Sequence, residues 1–424
     1  MGLVFVIFFA LLILGVPIPG ALGLALYQDA IWGGGMSLDF IGRTMIRSMD
    51  SFPILAVPMF ILAGEIMGKG GISKALFDFA NSIVGRITAG TPMATILTCM
   101  LFGAISGSGS ATFAAVGSLM IPLMVAQGYN SKFVTGVTAA SGGLGSIIPP
   151  SLPMVMFAIS ANLSIGDMFM SGIVPGIIVG ASLMLYSFIY CKRNKIPPPP
   201  PEMAPMSIWQ ATRKGFFALL TPVIILGGIY SGIFTATEAA AVSVVYGILV
   251  SRFIYKTIRL RDLHKYVFNA AKTMGPMVII VSLATTFGTA LTFAGVPAQI
   301  ANTLLGISEN PIMILVLINI ILLVAGMFMD SLSAIVILTP LLLPVSMGIG
   351  LDPIHLGVIM VVNLSIGLVT PPVGISLYVA AAITKLPILQ LSRAAVGPII
   401  ALLLALVLIA AVPTLSTFLV SLMR

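Results

Sequence analysis

The sequence predicts an all-α polytopic membrane protein of two inverted repeats, each carrying a re-entrant helical hairpin and a discontinuous helix. Three observations lead there. First, 59% of the 424 residues are hydrophobic and 8% are charged, with a mean hydropathy of +1.16. A soluble domain carries roughly 25% charged residues. This chain cannot cover a water-facing surface, so lipid must be its main solvent. Second, the apolar segments Pro92–Ala126 and Pro311–Ser346 are each too long for one helix and are interrupted midway by small polar residues. Third, Gly and Pro positions recur at a constant offset of 222 residues.

A transmembrane helix needs about 20 mostly apolar residues. Such segments fall near 3–27, 52–69, 131–161, 168–191, 215–232, 235–252, 273–294, 354–384 and 394–421. The opening run Met1–Phe9 has no basic region and no small-residue cleavage pattern, so it reads as a first span rather than a removable signal peptide. Residues 27–50, with Arg43 and Arg47, read as an amphipathic interfacial helix, and 252–272, with Lys256, Arg259, Arg261 and Lys265, as a second. Pro197–Pro201 followed by Glu202 is a stiff polyproline linker, placed at 196–206. Cys99 and Cys191 lie far apart in apolar stretches and read as packing residues. The net charge of +8 does not point to nucleic acid, because the basic residues gather in loops. Lys192, Arg193, Lys195, Arg213 and Lys214 share one loop, and 252–272 follows two crossings later on the same side. Both are expected to face the cytoplasm. Counting outward places the N-terminus in the cytoplasm and the C-terminus in the periplasm.

The internal repeat is the sharpest signal. Pro122, Gly128, Gly145, Pro149 and Pro150 match Pro344, Gly350, Gly367, Pro371 and Pro372 in one ungapped register, and Asn130 aligns with Asp352. The interrupted segments, broken at Ser106–Ser110 and at Asp330–Ser333, read as helices that stop at mid-membrane and turn back. Five crossings separate them. Five is odd, so the hairpins enter from opposite faces, the first from the cytoplasm. Inverted repeats with discontinuous helices point to a secondary transporter with sites where the repeats meet.

Proline lacks an N–H and blocks the carbonyl one turn earlier. Gly142–Pro150 and Gly367–Pro372 should therefore unwind and free carbonyl oxygens towards the hairpin tips. Hairpin serines plus freed carbonyls make an all-oxygen cage suited to a small hard cation such as Na⁺. The alternative is that these prolines only kink packed helices. Asp330 is the only acidic residue between Pro311 and Gly350. An intramembrane carboxylate is functional by default; it could ligate a cation or hold the hairpin tip. Glu65 reads as an ion pair with Lys69 or a functional acid, and Glu238 as a helix-start residue or a functional one. Gly64–Lys69 falls short of a Walker A loop, and no β-α-β context surrounds Gly107–Ser110, so no nucleotide site is visible. Gly172, Gly176 and Gly180 read as close helix packing.

At these residues the chain resembles the large membrane subunit of the tripartite ATP-independent periplasmic (TRAP) transporters. The resemblance covers essentially the whole length. It is most specific at Gly227–Ala240, with support from Gly15–Pro19, Ser106–Ala111 and Ile147–Met154; Ala236 stands where the family usually has proline. It implies no enzyme activity but a scaffold and an elevator-type transport domain driven by a Na⁺ gradient. It also implies a small four-helix membrane subunit, unfused here, a periplasmic binding protein and an inner-membrane location. The implied division is 1–91 scaffold and arm helices, 92–161 first transport half, 162–310 scaffold helices with arm helix 252–272, 311–384 second transport half, and 385–424 C-terminal helix. Family substrates are mostly organic acids, and the sialic acid branch is the expectation, with C4-dicarboxylates as the alternative.

One Na⁺ is expected at Ser106, Ser108, Ser110, Gly145 and Pro149, and another at Asp330, Ser331, Ser333, Gly367, Thr370 and Pro371. The substrate carboxylate is expected at Ser108, Ser110, Ser151, Asp330 and Pro372, drawn by bound cations and half-helix N-termini. Rival readings are a stand-alone anion carrier, a channel, and an intramembrane protease. The protease needs an in-membrane histidine, and His264 and His355 both read as lying in or beside loops.

Overall fold

The structure, a computed structural model, describes residues 2–33, 36–197, 205–307 and 310–423; these are helical, with no strand among them. Helices satisfy their own backbone polar groups, which lipid cannot do. Among the described residues nine helices are long and apolar enough to cross a membrane, and one bent pair can form a tenth span. Residues 198–204, most of the expected polyproline linker, lie outside the described residues.

The expected first span 3–27 is two helices, α1 (Gly2–Ile13) and α2 (Ile18–Gln28). Gly15 takes a left-handed φ of +81° and Pro17 fixes the next turn, so the helix cannot run through. The amphipathic expectation holds at α3 (Leu38–Met49), which Ser37 caps and whose exposed face carries the Arg43–Asp39 pair at 2.9 Å. Then come α4 (Ala56–Lys69) and α5 (Ile72–Val84). The first hairpin is α6 (Gly90–Ser106) and α7 (Gly109–Ala126); the first discontinuous helix is α8 (Ser131–Gly142), α9 (Leu144–Ile147) and α10 (Leu152–Ala161), bent by 41° at the break. α11 (Ile165–Arg193), α12 (Ile208–Tyr230) and α13 (Ala236–Leu249) follow. A capping box starts α13: Thr235 N–H donates to the Glu238 carboxylate at 2.8 Å, and Glu238 N–H donates to Thr235 Oγ1. Glu238 is thus a helix-start residue.

No separate helix occupies 252–272. Short turns lead into α14 (Leu263–Phe293), a single 31-residue helix that absorbs both the expected arm and the span 273–294. Its basic first turns run on into the apolar helix, and Gly275–Pro276, just past the expected boundary, does not end it, which is why charge alone misplaced the boundary. α15 (Val296–Ile307) precedes the second hairpin, α16 (Pro311–Phe328) and α17 (Ser331–Gly348). The second discontinuous helix is α18 (Pro353–Gly367) and α19 (Ile375–Thr384). The expected C-terminal span is divided at Pro413 into α20 (Ile388–Ala411) and α21 (Thr414–Met423). The hairpin arms, 17 or 18 residues each, are about 26 Å long at 1.5 Å per residue. They are deeper than half a membrane.

The 222-residue register holds in the helix ends. α6 and α16 stop at Ser106 and Phe328, α7 and α17 start at Gly109 and Ser331, and α8 and α18 start at Ser131 and Pro353. Asn130 and Asp352 each cap the following helix by accepting two backbone N–H bonds. Gly128 and Gly350 share φ near +80°, and the Pro149–Pro150 and Pro371–Pro372 bonds are both cis. Among the described residues five spanning units separate the hairpins, an odd number that makes the halves inverted. They interlock: α10 packs on α17, and α19 packs on α7. Ile354–Gly367 is buried throughout. His355, expected beside a loop, is buried in the first turn of α18, with Nδ1 3.0 Å from Ser416 Oγ. The α11 glycines pack as expected: Cβ atoms at Gly172, Gly176 and Gly180 would strike Met154, Ile148 and Met100.

Candidate functional site

The site is built where each hairpin tip meets the break of a discontinuous helix. In the first half Ser108 leaves the helical path and caps α7. Gly107, at φ +63°, accepts Leu152 N–H at 2.9 Å, and Gly109 N–H donates to Ser146 Oγ at 2.9 Å. The tip is thereby tied to both sides of the break. Ser151 caps α10 and its hydroxyl donates to Ser146 C=O, one of the carbonyls the Pro-Pro pair leaves without an intrahelical donor. Ser106 Oγ lies 2.7 Å from Thr112 Oγ1 and donates to Ser108 C=O at 3.4 Å. Gly145 is pressed against this group: a Cβ there would strike Thr112 Oγ1 and come within 2.7 Å of Ser108 O. The result is a buried cluster of two hydroxyl oxygens and a carbonyl oxygen, a donor set that suits a hard monovalent cation.

In the second half Asp330 caps α17. Its Oδ1 accepts Leu332 N–H at 2.9 Å and Ser333 N–H at 3.2 Å, and Ser333 Oγ donates to Oδ2. The tip-holding role is therefore real, and Asp330 also faces the central cavity. Ser331 Oγ is buried there with no hydrogen-bond partner. Gly367 meets Gly326 of α16 backbone to backbone, with a Cβ only 2.5 Å from Gly326 Cα; Gly145 meets Gly103 of α6 in the same way. Asn363 of α18 donates to Asn319 of α16 at 2.8 Å, a second pin between break and hairpin.

The two tips converge on one cavity of about 60 Å³. Its polar lining is Ser108, Gly109, Ser110, Ser146, Asp330 and Ser331. Leu152 and Pro153 come from the first break, Leu368 and Ile375 from the second, and Met277 from α14. No lysine or arginine lines it.

Four expected residues, Ser108, Ser110, Asp330 and Ser331, thus share the cavity, and Ser106 and Gly145 join the adjoining oxygen cluster. Others fall elsewhere. Pro372 is exposed, and Thr370 and Pro371 are half-buried outside the lining, with Thr370 Oγ1 donating to Ile366 C=O at 2.7 Å. Ser333 turns its hydroxyl to Asp330 and Ser151 turns its own to Ser146; neither Pro149 nor Ser151 lines the cavity. Sequence reasoning missed Thr112 and Ser146. Ser146 lies inside the Gly-rich break, and Thr112 lies one turn beyond the tip on the face of Ser108; both signals were present. Glu65 makes no ion pair with Lys69 among the described residues; its carboxylate accepts Asn269 Nδ2–H at 3.1 Å, joining α4 to α14.

Paired hairpins and broken helices around a polar cavity, repeated about a pseudo-twofold, define a multi-pass membrane permease with internal symmetry. The chain belongs to the DctM component family of the tripartite ATP-independent periplasmic transporters, whose profile matches residues 5–415. It is 46% identical over 95% of its length to the isethionate TRAP transporter permease protein DctMQ of Oleidesulfovibrio alaskensis, of which it spans 63%. It is 42% identical to the C4-dicarboxylate TRAP transporter large permease protein DctM of Pseudomonas aeruginosa, covering 88% of this chain and 87% of that one. It is 36% identical to the sialic acid TRAP transporter large permease protein SiaM of Vibrio cholerae, covering 95% and 94%. In fold it is similar to the Alcanivorax borkumensis YdaH transporter, with a TM-score of 0.62 over 88% of each chain at 13% identity. These relatives are transporter proteins, not enzymes.

Proposed function

We propose that this chain is the permease subunit of an inner-membrane importer that couples entry of a small organic anion to a Na⁺ gradient. The observation that carries the reading is the central cavity: hydroxyls and one carboxylate, no fixed cation, and an oxygen cluster beside it. An organic anion entering such a cavity meets no positive side chain. Its charge must be offset by cations carried with it and by the positive ends of the α7 and α17 helix dipoles, which lie at the tips. Na⁺ is held at the first tip by Ser106, Thr112 and the Ser108 carbonyl, and at the second by Asp330 and Ser331. Anion and cation enter together because neither is comfortable there alone.

Movement of the hairpins and broken helices as one elevator-like body fits the hydrogen bonds that tie the first tip to its break, Leu152 N–H to Gly107 C=O and Gly109 N–H to Ser146 Oγ, while α4 and α14 meet the hairpins by packing. A periplasmic binding protein delivers the anion and a small membrane subunit completes the complex, in keeping with the tripartite family description. The order of identity among the relatives favours a compact sulfonate or dicarboxylate over sialic acid. The small cavity favours it too.

The test is uptake by proteoliposomes holding the chain with its partner subunits. Wild type should require inward Na⁺. Asp330→Asn and Thr112→Val should each raise the Na⁺ concentration for half-maximal uptake by at least about tenfold, as loss of a metal-site group does. Unchanged Na⁺ dependence in both, with normal folding, would refute the site. Competition by unlabelled sulfonates, C4-dicarboxylates and sialic acid ranks the substrate, and displacement by sialic acid alone would overturn the preference for a compact anion.

A further inference from the structure

Away from the central site a larger cavity, about 390 Å³, opens between α5, the start of α12 and the chain just after α13. Lys74 of α5 and Arg213 and Lys214 of α12 line it with one carboxylate, Asp78. Among the described residues none of these three cations forms an ion pair. The frame is fixed. Gly215 brings α12 against the Ala75 carbonyl, and Tyr255 Oη donates to Lys214 C=O at 3.2 Å. Three cations held around one carboxylate leave the cavity with an excess of positive charge, which attracts an anion.

We propose that this cavity binds the phosphate of an anionic phospholipid headgroup. Its place in the fold selects lipid over a soluble anion. The basic loops on this side mark the cytoplasmic face. Trp209, 77% exposed, lies one turn before Arg213, and tryptophan concentrates where a span meets the headgroup layer. Phe217 and Ile254, exposed on spanning helices, form the apolar wall, so acyl chains can descend along them while the phosphate meets Lys74, Arg213 and Lys214. Basic pockets between spans on this face suit anionic headgroups.

Asp78 tunes the affinity. Burial pushes its carboxyl above the usual range, while Lys74 and Lys214 pull it back. As pH falls and Asp78 gains its proton, the cavity becomes more positive and the phosphodiester, which does not titrate there, is held more tightly.

The experiment is native mass spectrometry of the purified full chain offered phosphatidylglycerol, phosphatidylcholine or inorganic phosphate. Wild type should retain phosphatidylglycerol in preference to the other two. Lys74→Gln, Arg213→Gln and Lys214→Gln should each weaken retention roughly fivefold, the effect of one headgroup-facing charge. Lys192→Gln with Arg193→Gln, on the same face but outside the cavity, should leave it unchanged. Asp78→Asn should retain more lipid and lose the pH dependence. Equal loss in the Lys192/Arg193 control, or displacement of the lipid by millimolar phosphate, would overturn the proposal. Elution at the wild-type volume and an unchanged helical spectrum show that each variant is folded.

Discussion

Gly145 and Gly367 do the same work at equivalent positions. Gly367 lets the broken helix touch the first arm of its hairpin backbone to backbone, Gly145 lets it press on Ser108 and Thr112 of its own hairpin, and a methyl group on either enters space already filled. Gly367→Ala should therefore destabilise by about 1–3 kcal/mol, the usual range for overpacking, and thermal unfolding in detergent checks this. Gly350→Ala, in open space but at φ +75°, should lose only the smaller cost of a strained left-handed residue. At this scale the sequence showed the glycines and the tip serines, because small residues in an apolar chain stand out. It did not show that Thr112 completes the oxygen cluster, since a threonine inside a helix has many bland explanations. Nor did it separate Thr370 and Ser333, which bond locally, from Ser331, whose hydroxyl stays free.

The elements were legible where their punctuation is strong. Asn130 and Asp352 stand before α8 and α18 as side-chain caps, and each satisfies two otherwise unpaired N–H groups. Asn130→Ala should cost about 1 kcal/mol, while Asp352→Asn, which keeps an accepting oxygen, should be nearly neutral; paired thermal unfolding curves would show the difference. Elements were misread where apolar character hid a break or charge suggested one. Gly15 and Pro17 divide the first expected span, and Pro413 divides the last, yet hydropathy runs through both. Charged residues before α14 suggested a separate arm, although nothing between Leu263 and Phe293 stops the helix. Pro276 lies inside α14 without ending it. α5 and α15 were not anticipated at all, being too short to register as spans and lying beside stronger signals.

For the whole molecule, orientation is the first quantity to check. Tyr246 Oη donates to Phe217 C=O and Tyr255 Oη to Lys214 C=O, so the start of α12 and the end of α13 lie side by side on one face. In a background lacking Cys99 and Cys191, a cysteine at Lys195 should react with impermeant reagent only from the cytoplasm. One at Gly232, in the turn between α12 and α13, should react only from the periplasm. The reverse pattern would invert the molecule and move the phospholipid cavity to the other leaflet. The crossed packing of α10 on α17 and of α19 on α7 reaches further. Each half lends its partner a helix and borrows one back, so neither half owns a finished interior. The molecule is in this sense an antiparallel dimer written on a single chain. Fragments ending and beginning at Ile196 should each be degraded when made singly, and should co-purify as one particle when made together.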